Sequence, residues 1–91
     1  MVVGLKFWRI RKDILDGKVI TVDDEKYLTE LKHKTWFEYQ CMSSLADKVY
    51  LIPSVTMDVV GCIYDDIQLK LKWYRLFTDT LNLYYENVYN R

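Results

Sequence analysis

From Asp58 to Glu86 a polar residue returns at every seventh position: Asp58, Asp65, Lys72, Asp79 and Glu86. A second row, Gly61, Gln68, Arg75 and Asn82, follows three residues after each step. Nearly everything between the rows is apolar or aromatic. The pattern predicts one long helix, about 54–89, with a narrow wet edge and a wide dry face. With Asp58 at heptad position f, position a reads Val60, Ile67, Tyr74, Leu81 and Val88. Position d reads Ile63, Lys70, Phe77 and Tyr84; position e reads Tyr64, Leu71, Thr78 and Tyr85; position c reads Cys62, Leu69, Leu76 and Leu83. At about 100° per residue the dry arc spans roughly 200°, about twice what one neighbouring helix covers. Such a helix needs cover from two sides.

Two more helices precede it. Val3, Phe7, Ile10 and Ile14 recur at helical spacing over about 2–15, and Gly17 suits the left-handed position after a helix. Asp16-Gly17 also suits a hairpin turn, so an α+β chain with an N-terminal hairpin is the alternative. Thr21 fits an N-cap, with Asp23, Asp24 and Glu25 in the first turn where the helix dipole favours acids. The second helix, about 22–50, carries Leu28, Leu31, Met42, Leu45 and Val49 on one face. Thr35-Trp36-Phe37-Glu38 is a second capping-box pattern, so a break near residue 34 would give four helices instead of three. Ile52-Pro53-Ser54 marks the next boundary, with Ser54 placed to cap the long helix. The expected fold is therefore an all-α elongated bundle in a single domain, residues 1–91.

Length turns the dry arc into a statement about partners. About 35 helical residues span roughly 50 Å, and residues 62–89 alone span roughly 40 Å if Gly61 kinks the helix. A compact chain of this size has a diameter of roughly 30 Å. Either the monomer is an elongated hairpin or its dry face meets another chain. Association is the default expectation for an exposed apolar strip of that size. The expected oligomer interface is Ile67, Lys70, Leu71, Tyr74, Phe77, Leu81 and Tyr84, in a homodimer or higher assembly. Asp66 and Lys70 interrupt the arc four residues apart with the acid first, the favourable order for a helical ion pair. They are read either as a surface pair or as a polar device that sets partner register.

Trp36 and Phe37 lie off the apolar stripe of the second helix. Adjacent aromatics cannot point the same way, so they are either packed by the first helix or form an anchor for a protein target. Trp8 likewise stands away from the Val3, Phe7 and Ile10 face, and Trp73 belongs to the wide arc.

Charge narrows the function classes. There are 13 basic and 13 acidic side chains, a balance unlike that of a strongly basic nucleic-acid binder or an acidic mimic. The start is the one basic region, and Lys6, Arg9, Arg11 and Lys12 are the candidate nucleic-acid contacts. At helical spacing they spread around the circumference, with no glycine-rich loop or aromatic interleaving. The acidic opening of the second helix argues against a helix-turn-helix over 2–33.

Chemistry adds little. Cys41 and Cys62 form no CxxC pair and cannot make a zinc set with His33; two reduced thiols are expected, a disulfide being the alternative. Asp16-Gly17-Lys18 resembles half a calcium loop, but Lys12 and Ile14 fall where oxygen ligands are needed. Asp65 and Asp66 diverge by about 100° on a helix. No metal or cofactor is expected. No secretion signal follows Met1, and no apolar run approaches the roughly 20 residues that span a bilayer, so a cytoplasmic location without membrane contact is expected. One alanine against eight tyrosines is a bias of AT-rich genomes, many viral ones among them.

The reading these features favour is a non-enzymatic helical protein–protein interaction module. It would self-associate through its long C-terminal helix and act as an inhibitor, adaptor or accessory factor, of a kind that viruses and phages encode. The alternative is nucleic-acid binding through the basic N-terminal segment. A third is a small helical enzyme or ligand carrier with Asp66, Lys70 and Tyr74 converging in the bundle.

Overall fold

In a computed structural model the chain is all-α, with α1 at Leu5–Leu15, α2 at Val22–Val49 and α3 at Met57–Tyr89. The structure describes residues 4–49 and 57–89. The proposed starts at residues 2 and 54, the end at 50 and the Ser54 cap lie outside them. The N-terminal hairpin alternative is excluded, because α1 is a helix of 11 residues. A Schellman motif closes it: the Lys18 N–H donates to the Asp13 carbonyl at 2.9 Å and the Gly17 N–H to the Ile14 carbonyl at 3.0 Å. Gly17 takes φ +79°, the left-handed region expected of it.

Thr21 caps α2 as its side chain predicts, its hydroxyl accepting the Asp24 N–H at 3.1 Å. The break considered near residue 34 does not occur: α2 is continuous through it. Thr35 explains why. Its hydroxyl is fully buried and donates back to the Leu31 carbonyl at 2.6 Å, one turn earlier in the same helix. A threonine satisfied in this way need not serve as a cap. Gly61 lies within α3, which is assigned as one helix of 33 residues.

The helices α2 and α3 form a long antiparallel hairpin. Glu25 meets Tyr85 at one end, and Glu38 meets Lys70 further along. The molecule measures 57 × 22 × 18 Å with a radius of gyration of 16.7 Å, against about 12 Å for a compact chain of this length. The length mismatch is thus met by elongation within one chain.

Both polar rows of α3 are exposed along their whole length. The main core cluster lies at the other side and toward one end, and Ala46, Val49 and Val60 are buried apart from it further along the hairpin. Phe7, Ile10 and Ile14 of α1 join Ile20, Leu28 of α2, and Phe77 and Leu81 of α3. Each fully buried aliphatic or aromatic side chain contributes about 1.5–3 kcal/mol. Asn87 ties the end together, donating its amide to the Ile14 carbonyl at 2.9 Å. At 1.5 Å per residue α1 is about 16 Å long, whereas α3 is about 50 Å long. The first helix, α1, therefore covers only the part of α3 from about Trp73 to Asn87.

Candidate functional site

Among the described residues no group of three or more His, Cys, Asp or Glu side chains stands together to hold a metal ion. No described helix is long and apolar enough to cross a membrane. Cys41 and Cys62 are both free and exposed, so the disulfide alternative does not hold. What the structure offers for function is surface, on the two flanks of the hairpin.

The first flank carries an aromatic cluster. Trp36 stacks on Tyr39, one turn along α2, with centroids 5.3 Å apart, and packs across the seam on Tyr74 at 4.9 Å. By helical rotation Ile67 and Leu71 share this side of α3 with Tyr74, and exposed Tyr64 lies at its edge. Ile67, Leu71 and Tyr74 are half-buried. Phe37, next to Trp36, points away from the seam and is 66% exposed. The first helix covers neither Trp36 nor Phe37, because it packs on the opposite flank.

Phe77 and Leu81 are placed otherwise than an interface requires. They are 0% and 3% exposed, inside the chain's own core. Phe77 meets Phe7 edge-on at 5.0 Å. They have no surface left for a second copy. Tyr84 is half-buried against the same core. The physical reason is that α1 takes one side of the wide arc, so cover that the pattern leaves open to a partner comes from the chain itself.

The second flank holds the ion pair. Lys70 lies 3.8 Å from Asp66, as the spacing predicts, and 3.0 Å from Glu38 of α2. The Glu38 contact lies outside hydrogen-bond geometry, so the attraction is electrostatic. The Lys70 side chain is only 13% exposed, and partial burial strengthens such a pair. Glu38 was not visible as a partner because the register of two helices is not encoded in the spacing of either. Of Asp66, Lys70 and Tyr74, the first two are brought together and joined by Glu38, while Tyr74 packs on Trp36.

The basic start is partly consumed. The Lys6 ammonium sits 4.5 Å over the Tyr27 ring. Arg9 lies 3.5 Å from the buried carboxylate of Asp24 and 3.8 Å from Asp13. Arg11 and Lys12 make no ion pair among the described residues. Two of the four cations thus fasten α1 to the hairpin.

At the far end Tyr85 donates its hydroxyl to Glu25 at 3.1 Å. Partial burial first, then the carboxylate beside it, pushes the Tyr85 phenol above its ordinary pKa.

On the second flank one stripe of α3 runs Val59, Cys62, Asp66, Leu69, Trp73, Leu76, Thr80, Leu83 and Asn87, alternating steps of three and four. Its later part carries α1: Trp8 meets Trp73 at 6.3 Å, and Leu76 and Leu83 pack on the core. No described helix lies over its earlier part. Val59 and Leu69 are each 48% exposed. The heptad positions of Cys62, Leu69, Leu76 and Leu83 in this stripe are legible in the sequence, but nothing in them shows where α1 stops.

Comparison with protein-family models, with curated proteins and with solved structures gave no match.

Proposed function

We propose that this chain is a non-enzymatic helical protein–protein interaction module, serving as an inhibitor, adaptor or accessory factor. The observation that carries this reading is the aromatic flank. The core closes without Trp36, Phe37 and Tyr64, yet these large apolar side chains remain exposed along one hairpin. Aromatics of this kind anchor protein interfaces. The chain pairs with itself through the α3 side of that flank, with Ile67, Leu71 and Tyr74 at the centre and Trp36 beside them. Phe37, on a separate side of α2, is the contact for a further protein.

Light scattering across a concentration series tests the self-association. The expected result is twice the chain mass at micromolar concentration. Tyr64→Glu changes an exposed side chain and is expected to return the monomer with helical content unchanged. A strictly monomeric wild-type chain at every concentration would remove the self-association from the proposal.

A further inference from the structure

Near the start of α1, where the short helix makes a step on the long one, a groove of about 680 Å³ opens between Trp8 and α3. That size falls within the range of about 300–1,000 Å³ usual for small-ligand sites. Its apolar lining is Trp8, Trp73, Leu69 and Leu76, with a fourth such residue at the margin. The two tryptophans are held in place from the core side. Phe77, fully buried, stacks on Trp73 at 6.0 Å, and Phe7, also fully buried, meets Trp8 edge-on at 5.0 Å. Side chains already fixed lose little freedom when a ligand arrives. Trp8 is nevertheless 43% exposed, so ring surface remains to be covered.

The charged lining is Lys72, Arg75 and Asp79. All three are exposed, and none makes an ion pair among the described residues. Arg75 and Asp79 stand four residues apart with the base first, the weaker order for a helical pair. Two cations against one acid leave the groove positive by one. Gln68 is the one further polar side chain in the lining. A ligand rich in hydrogen-bonding groups would give up water partners here without replacement. A ligand with several negative charges would exceed the two cations and meet Asp79. The complement is one negative charge on an apolar ring or chain.

We infer that this groove binds a small amphipathic anion, an aryl or acyl group bearing one carboxylate or sulfonate. The apolar body lies on Trp8 and Trp73, and Lys72 and Arg75 are the charge partners. The two tryptophans are on the opposite flank from Trp36, and the inference does not rest on self-association.

The probe is anilinonaphthalene sulfonate, and the control is the same aromatic amine without its sulfonate. Probe fluorescence gives the affinity. The indole N–H signals of the three tryptophans in an isotope-edited spectrum give the place. The sulfonate is expected to bind saturably at sub-millimolar concentration and to move the Trp8 and Trp73 signals, not that of Trp36. Lys72→Glu with Arg75→Glu changes two exposed side chains and should leave helical content unchanged. The double variant should weaken the sulfonate at least tenfold and change affinity for the neutral control less than twofold. Asp79→Asn should tighten the sulfonate several-fold. Absence of saturable sulfonate binding overturns the inference, as does a response confined to Trp36. So does a double variant that leaves sulfonate affinity unmoved or weakens both probes equally. None of these readouts is the chain mass by which self-association is judged.

Discussion

Between Trp73 and Asn87 the outer stripe of α3 lies under α1; between Val59 and Leu69 no described helix lies over the same stripe. The residue types differ little. Leu69 and Leu76 occupy equivalent heptad positions, yet Leu76 packs on the core and Leu69 is 48% exposed. The pattern of a helix states which face wants cover, and the length of its neighbours states how much cover it gets. An 11-residue α1 cannot serve a 33-residue α3. The uncovered remainder is where this chain has surface to offer.

The contrast is broken most forcefully by truncating one side chain in each part. Phe77→Ala empties the centre of the three-helix core and is expected to cost about 3–5 kcal/mol in urea unfolding. Leu69→Ala, in the open part, should cost less than about 1 kcal/mol. Similar costs at both positions would mean that the open stripe is covered after all.

The ion pair gives the next effect. Lys70→Met leaves Glu38 partly buried beside no cation, an expected loss of about 1–3 kcal/mol. Adding Glu38→Leu removes the stranded carboxylate and should restore most of that loss. A double variant as unstable as the single one would show that Lys70 acts by packing instead. Smaller again is Thr21→Ala, which strips the α2 cap and should cost about 1 kcal/mol.

The smallest effect depends on pH. The Tyr85 phenol holds its proton more tightly in the folded chain than in the unfolded one. Its contribution is complete below the ordinary tyrosine pKa of about 10 and is lost as pH rises through the folded value. The urea midpoint should therefore fall from neutral pH to about pH 11 more in the wild type than in Tyr85→Phe. An identical fall would dissociate Tyr85 from the alkaline loss.

These expectations also mark how far the residues alone could be read. The wet edge of α3, the turn at Gly17 and the cap at Thr21 are local, decided by side chains within one or two helical turns, and all three stand. Thr35 misleads because a capping pattern and a back-bonded threonine look alike until burial is known. Phe77 and Leu81 mislead because amphipathicity does not say whether cover comes from the same chain or another. Glu38, Asn87 and the end of α1's seat depend on how three helices register against each other, which no single helix encodes.

Hydrogen exchange resolved along α3 tests the central claim, that α2 lines the whole of this helix whereas α1 covers only one half of it. At protein concentrations low enough to keep the chain monomeric, amides from about residue 75 to 87 should exchange with the global unfolding free energy. Those from about 60 to 69 should exchange at least tenfold faster, through local opening. Uniform protection from one end of α3 to the other would contradict the account.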